Sequence, residues 1–324
     1  MKRAGGLFGR ILDRENLRLA YWKASRGKAA RPSRMAYAAN LDEELDRLSE
    51  GLADGSYPVG NYARFVIHDP KEREICAAPF GERVLHHALM NVCEPWFDKW
   101  LVFDTFACRK GKGQLAAVRR AQHFARHHAW FLKCDFHKYF DSIPHDRLRV
   151  LLRRKFKDER LLAWFDRIID TYETSPGHGL PIGNLTSQHF ANLYLDGLDR
   201  RHRPYVRYMD DFIFWGNSRE DMKRMLEDVV AYARDELGLS LKESPFVNRT
   251  VQGMDFLGMR VFPDRIWLSR ASKRRFLEKT AFLERKLERG DIPQLEAQER
   301  LTALTAFVRQ CDSLPWRKAV LAAE

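Results

Sequence analysis

Leu41, Leu45, Leu48 and Leu52 recur at helical spacing and stop at Asp54-Gly55, so an amphipathic helix ended by a glycine is predicted here. Arg64 to His68 reads as a short strand ending at Asp69-Pro70, and Ile75 to Ala78, beyond the charged Lys71-Glu72-Arg73-Glu74 turn, as its hairpin partner. Helical periodicity returns from Gly81 to Trp100, and again after Gly111-Lys112-Gly113 as far as His128. The text then changes, and a compact apolar run from Trp130 to Cys134 leads straight into Asp135. Helices are expected near Pro144 and across Leu161 to Thr171, the glycine-rich Gly177 to Gly183 breaks the chain, and Thr186 to Asp199 resumes with Phe190, Leu193 and Leu198 on one side. Val206 to Met209 and Phe212 to Trp215 are apolar runs around Asp210-Asp211, the pattern of a hairpin with its tip in polar space. A helix over Arg219 to Leu237, strands within Gly253 to Phe262 and basic helices from Ser269 onward complete the chain. No internal repeat, low-complexity tract or flexible linker interrupts it.

Three aspartates carry the clearest chemistry. Asp135 ends a strand and Asp210 and Asp211 occupy a hairpin tip, so antiparallel pairing of those elements would gather three carboxylates at one end of a sheet. Clustered carboxylates raise one another's pKa unless a cation neutralises them. Two Mg2+ ions, with Mn2+ as a substitute, are the expected partners, because hard oxygen ligands with open positions suit phosphoryl transfer. The bland reading of Asp210-Asp211 is a turn signal.

Composition narrows the partners. The 324 residues are 45% hydrophobic and 12% aromatic, enough for a proper core, and the net charge is +12. That charge is segregated. Met1 to Arg34 holds ten Lys/Arg against two acids, and Arg265 to Arg289 nine against three, while the remainder is close to neutral. Basic ends on a neutral body are the footprint of a polyanion-binding protein or, on charge alone, of solvated helix faces. Five scattered cysteines lack any Cys-x-x-Cys pair and read as reduced thiols. With no run of about 18 apolar residues and no apolar signal region after Met1-Lys2-Arg3, no membrane partner and a cytoplasmic location are expected.

Tyr208-Met209-Asp210-Asp211 resembles the hallmark hairpin of the reverse transcriptases, and the likeness extends well beyond that tetrad. Lys133-Cys134-Asp135-Phe136-His137-Lys138-Tyr139-Phe140-Asp141 looks like their first catalytic-aspartate motif, and Phe256-Leu257-Gly258 like the primer grip. Asp69-Pro70-Lys71-Glu72-Arg73 and Arg109-Lys110-Gly111-Lys112-Gly113 resemble fingers segments, and Lys242 falls where the family has a lysine near the leaving pyrophosphate. Order and spacing agree from about Asn16 to Arg289. The resemblance implies an α+β right-hand polymerase with an antiparallel-sheet palm, helical fingers and a small helical thumb. Its expected layout is a basic N-terminal helical extension (1–60), fingers with the palm entry (61–130), palm (131–262) and a basic helical thumb (263–324). It also implies that Asp135, Asp210, Asp211 and the carbonyl of Phe136 hold metal, and that Lys71, Arg73 and Arg109 meet the triphosphate of a deoxynucleotide. Phe140 would be the steric gate against ribose. Arg26, Lys28, Lys273, Arg274 and Arg275 would bind nucleic acid.

Ile182-Gly183-Asn184-Leu185-Thr186-Ser187-Gln188 departs from the common family pattern, which has Gln before this glycine and Pro after the serine. The form here resembles the reverse transcriptases of diversity-generating retroelements, encoded by bacteria or phages. That likeness implies error-prone cDNA synthesis at template adenines and mutagenic retrohoming. It also implies template RNA and an RNA/cDNA hybrid as partners, together with a small, basic, oligomeric accessory protein. Nothing after the thumb resembles a ribonuclease H, an integrase or a Cys/His endonuclease. Gly5-Gly6-Leu7-Phe8 and Tyr21-Trp22 are candidate accessory contacts or, more simply, a tucked-in edge of the core. The alternatives are a reverse transcriptase of another bacterial lineage (antiviral defence, retron or group II intron type) and a non-catalytic RNA-binding scaffold, which would have no need of a carboxylate cluster.

Overall fold

Residues 3–68, 72–243 and 245–321 are described by the structure, a computed structural model. The chain begins with four helices, α1 (Phe8–Leu12), α2 (Arg14–Ser25), α3 (Pro32–Ala39) and α4 (Leu41–Asp54), followed by strands β1 (Ala63–Ile67) and β2 (Arg73–Ala77). Next come α5 (Phe80–Trp100), α6 (Gln114–His127), β3 (Trp130–Asp135), α7 (Tyr139–Ser142), α8 (His145–Lys155) and α9 (Glu159–Ile169). They are followed by α10 (Leu185–Tyr194), α11 (Asp196–Asp199), β4 (Tyr205–Tyr208), β5 (Asp211–Gly216) and α12 (Arg219–Tyr232). The last part holds β6 (Phe246–Arg249), β7 (Met254–Phe256), β8 (Met259–Val261), β9 (Ile266–Leu268), α13 (Arg270–Glu288), α14 (Gln294–Val308) and α15 (Leu314–Leu321).

These elements form two compact units, each assembled from separated stretches of chain. The first takes 1–103, 136–201 and 229–242, and the second 104–135, 202–228 and 243–324.

In the first unit α5 is the central helix, and α1 to α4 and α10 pack on it. Its length follows from the apolar residues Val84, Leu85, Ala88, Leu89, Val92 and Cys93, all buried. The four-leucine stripe makes α4, which ends as expected at Gly55 in the left-handed conformation (φ 81°). Aromatic rings of Phe97, Trp100, Phe156, Phe165 and Phe190 stack edge-on or tilted at 4.9 to 6.2 Å and fill the space between α5, α8, α9 and α10. Helix α10 is buried on all sides, not on one. Its polar residues are tolerated there because they find internal partners: Thr186 Oγ1 lies 2.8 Å from His86 Nδ1, and His86 Nε2 lies 3.4 Å from Glu82, whose carboxylate accepts the Gly60 amide.

Much N-terminal charge is spent inside this unit. Arg14 pairs with Asp42 and Asp46, Arg18 with Asp42, and the Arg3 guanidinium donates to the Phe156 carbonyl. Leu7 and Phe8 are a core edge whose amides donate to Asp158. Tyr21 stacks on Tyr37, but Trp22 is 57% exposed with Arg26 over its ring at 5.1 Å.

In the second unit a four-stranded antiparallel sheet has the order β4-β5-β3-β6, and a three-stranded sheet the order β7-β8-β9. Helix α6 lays Ala117, Val118, Ala121 and Ala125 into one core with Phe131, Ile213, Trp215, Met254, Phe256 and Met259. Strands β6 and β9, three or four residues long, went unread in the sequence because so short a run has no measurable periodicity. Among the described residues no helix is long and apolar enough to cross a membrane.

Candidate active site

The acid-bearing elements belong to the second unit. Strand β3 pairs antiparallel with β5 from Trp130↔Gly216 to Asp135↔Asp211, so the two acids are direct cross-strand neighbours at the end of the two central strands. Tyr208↔Asp211 closes the β4–β5 hairpin, leaving Met209-Asp210 as a two-residue loop. Met209 sits at φ 58°, a left-handed conformation that costs a methionine about 1 kcal/mol or more. The fully buried Arg207 answers that strain, for its Nη1 donates to the Met209 carbonyl at 3.0 Å. Arg207 is itself held through its backbone, which exchanges hydrogen bonds with Asp104 O (2.9 Å) and Phe106 N (3.0 Å).

Burial pushes the Asp211 carboxyl up to about 6, opposed by the nearby Lys133 and reinforced by the charges of Asp135 and Asp210. Lys133 Nζ stands 3.2 Å from Asp211 Oδ2. The other oxygen, Asp211 Oδ1, is buried with no hydrogen-bond partner among the described residues. Such an atom is expensive to bury, by about 1–3 kcal/mol, unless a cation meets it. No group of three or more His, Cys, Asp or Glu side chains forms a ready-made metal cage among the described residues. The buried Asp211 oxygen, which meets no protein donor among the described residues, is a hard oxygen ligand of the kind a divalent metal takes.

Phe256-Leu257-Gly258 also lies in this unit, where Leu257 (φ 50°) and Gly258 (φ 79°) are the two-residue turn between β7 and β8. Gln114 Nε2 holds the Leu257 carbonyl at 2.5 Å. Arg109 Nη1 donates to Thr105 Oγ1 at 2.7 Å. On α13, Lys273 lies over Trp316, Arg275 reaches Ser272 Oγ, and Arg274 is 3.6 Å from Glu278.

The first unit carries the other motif residues. Phe136 is buried, stacks on Tyr139, and bridges antiparallel to Leu241, which sets Lys242 one residue beyond that bridge. Phe140 is half-buried, and its carbonyl accepts the Leu180 amide at 2.8 Å. The Cys76 amide donates to the Ile182 carbonyl at 2.8 Å, which joins β2, and with it the exposed Arg73, to the segment that opens α10. Gln188 is in the first turn of α10. Lys28 is turned inward, its Nζ donating to the Ala24 carbonyl, and its pKa is lowered by burial and by Arg83. Lys71 lies outside the described residues.

Sequence reasoning passed over Lys133, Arg207 and Gln114. For Lys133 the signal was present: two residues before Asp135 on a strand is the same face. Arg207 is a charge at a buried strand position, which nothing local announces.

A family profile described as "Reverse transcriptase (RNA-dependent DNA polymerase)" matches residues 68–261. Among curated proteins, the chain is 20% identical to a putative COX1/OXI3 intron 2 protein of Saccharomyces cerevisiae, over 67% of this chain and 34% of that protein. It is 23% identical to the group II intron-encoded protein LtrA of Lactococcus lactis, over 49% of this chain and 28% of that protein. The chain thus spans about a third of the length of these relatives. Among solved structures, an apo telomerase from Candida tropicalis truncated from its C-terminal domain superposes with a TM-score of 0.51 at 11% identity, covering 65% of this chain and 55% of that one.

Proposed function

The chain belongs to the reverse transcriptase family and has an α+β fold consistent with a right-hand polymerase, and on that premise we propose that it is an RNA-directed DNA polymerase acting on deoxynucleoside triphosphates. The observation that carries the reading is the Asp135↔Asp211 pair beside Asp210, with a buried carboxylate oxygen left for a cation. Reverse transcriptase domains generally use divalent metal ions, and here Mg2+ on these aspartates would activate the primer hydroxyl and steady the pyrophosphate. Arg73 is exposed at the start of β2 and makes no ion pair among the described residues, which suits a clamp on triphosphate oxygens. Lys71, Arg109 and Lys242 are assigned to the same phosphates. A scaffold that only bound RNA would have no use for a desolvated carboxylate pair.

Within the family we assign the chain to the diversity-generating retroelements. Ile182 supports this, because an apolar side chain where relatives have glutamine gives up polar contacts worth about 1 kcal/mol each in discriminating the nascent pair. On this reading the polymerase, encoded by a bacterium or a phage, works in the bacterial cytoplasm and copies a template RNA into cDNA with errors at adenine, alongside a small basic accessory protein, for mutagenic retrohoming. The RNA would meet the N-terminal helices at Arg26 and Arg31, exposed near Trp22 in a stretch from Lys23 to Arg34 that holds no acid. A group II intron type is the second reading, favoured by the name of the Lactococcus lactis relative.

Primer extension on an adenine-rich RNA with Mg2+, followed by sequencing of the cDNA, tests both levels. Extension with errors concentrated at adenine, reduced by Ile182→Gln, is expected. Accurate cDNA would leave the polymerase and remove the retroelement class; no extension by the folded chain would remove both.

A further inference from the structure

We propose that Lys133 is a positioning residue that ties Asp211 to the β7–β8 hairpin, so that the carboxylate end of the central strands and the Leu257-Gly258 turn hold one fixed geometry. The sequence places Lys133 on the same face of β3 as Asp135, and the structure gives its ammonium two anchors. Nζ is 3.2 Å from Asp211 Oδ2 and donates to the Asp255 carbonyl at 2.8 Å, with the Phe256 ring centroid 5.9 Å away. Asp255 and Phe256 immediately precede the turn.

An exposed ion pair alone would be worth little. Lys133 differs in that its side chain is only 26% exposed and its second bond goes to main chain. The carboxylate of Asp255 is already turned to Arg260, so the link to β7 runs through the backbone and survives any movement of that side chain.

The hairpin needs the help. Its strands are three residues each, so few ladder bonds hold the turn in place even with β9 alongside β8. Its turn places Leu257 in the left-handed region, where a side chain with a Cβ is disfavoured. Two side chains grip it two residues apart, Gln114 at the Leu257 carbonyl and Lys133 at the Asp255 carbonyl. Lys133 also decides which oxygen of Asp211 is spoken for: Oδ2 faces the ammonium, and Oδ1 is left buried with no partner among the described residues. Resting on the polymerase reading, in which Asp211 serves the metal and this turn meets the primer terminus, one side chain then aligns both.

The test uses the full chain with Lys133→Met, which keeps the stem over Phe256 and removes the charge, and Lys133→Arg, which restores a cation with several donors. Hydrogen exchange of the metal-free protein over residues 254–259 needs no activity. Exchange faster by about fivefold or more in Lys133→Met is expected, with Lys133→Arg close to the parent. In primer extension, Lys133→Met should lower kcat about tenfold with the KM for deoxynucleotide within about twofold, and Lys133→Arg should recover most of it. Unchanged exchange in Lys133→Met, or a Lys133→Arg protein as impaired as Lys133→Met, overturns the proposal. A parent chain that extends no primer would sink the polymerase reading, while the exchange result would still decide whether Lys133 ties the hairpin.

Discussion

The carbonyl oxygen of Cys76 lies 2.9 Å from the point where a Cβ on Gly183 would begin. Gly183 also has φ 118°, a backbone conformation that residues with side chains rarely adopt. This glycine is therefore required twice over, for its own backbone and for the close approach of β2. Gly183→Ala must push β2 away from the Ile182 carbonyl. A loss of about 1–3 kcal/mol in stability is expected, by thermal or urea denaturation. On the proposal that Arg73, at the start of β2, clamps the triphosphate, the KM for deoxynucleotide should rise more than kcat falls; a variant with parental KM would separate β2 from nucleotide binding.

Asp211 gives a pH dependence with a definite sign. Its carboxyl titrates at about 6 in the folded chain against an ordinary 3.8, so folding favours the protonated form. The stabilisation is present below the ordinary value and is lost as pH rises from about 4 through about 6. Asp211→Asn, which stays neutral, should make the metal-free protein more stable than the parent at pH 8, by about 1–3 kcal/mol, and equal to it near pH 4. The same variant should lose extension by about a hundredfold or more, the scale of removing one electrostatic element from a charged transition state. Melting curves in chelator at the two pH values check the first half. A parent that outlasts Asp211→Asn at pH 8 would contradict it.

How far the sequence could be read depended on the range of the interaction. The Asp135 and Asp210-Asp211 arrangement was legible, because strand alternation and a two-residue turn are local and the register then brings Asp135 opposite Asp211. The ends of α4 and α5 were legible for the same reason. The bond from Cys76 to Ile182 joins residues far apart in sequence, and no local pattern encodes it. Nor was the burial of Thr186 and Asn192 visible, since residues that look like a polar helix face become interior once His86 and Glu82 are brought beside Thr186. Arg14 and Arg18 looked like free basic charge until α4 put Asp42 and Asp46 against them.

Phe140 is fixed from behind. Its ring meets Tyr139 edge-on at 5.8 Å, Tyr139 donates its hydroxyl to the Ala191 carbonyl, and the Phe140 carbonyl accepts the Leu180 amide. On the polymerase reading, in which Phe140 is the gate against ribose, a ring so anchored does not yield to a 2′-hydroxyl by shifting its backbone. Phe140→Ala should raise ribonucleotide incorporation relative to deoxynucleotide by about ten- to a hundredfold, measured as the ratio of kcat/KM values. An unchanged ratio would assign sugar selection to another residue.

The basic helix α13 makes a prediction that charge counting alone would get wrong. Lys273 and Arg275 touch neutral groups, the Trp316 ring and the Ser272 hydroxyl, so their full charge is available to phosphate. Arg274 faces Glu278 one turn on, 3.6 Å away, and together they contribute almost no net charge. Each phosphate neutralised adds about 0.9 to the slope of log affinity against log salt. Replacing Lys273, Arg274 and Arg275 together by glutamine should then flatten the slope by about two, not three, in titrations of an RNA/DNA hybrid monitored by fluorescence anisotropy. Glu278→Gln should do the reverse, steepening the slope by up to about one and tightening binding at low salt, because it releases Arg274. If Glu278→Gln leaves the slope where it was while the triple variant flattens it by about three, Arg274 already contacts phosphate and its pairing with Glu278 is broken in the bound state.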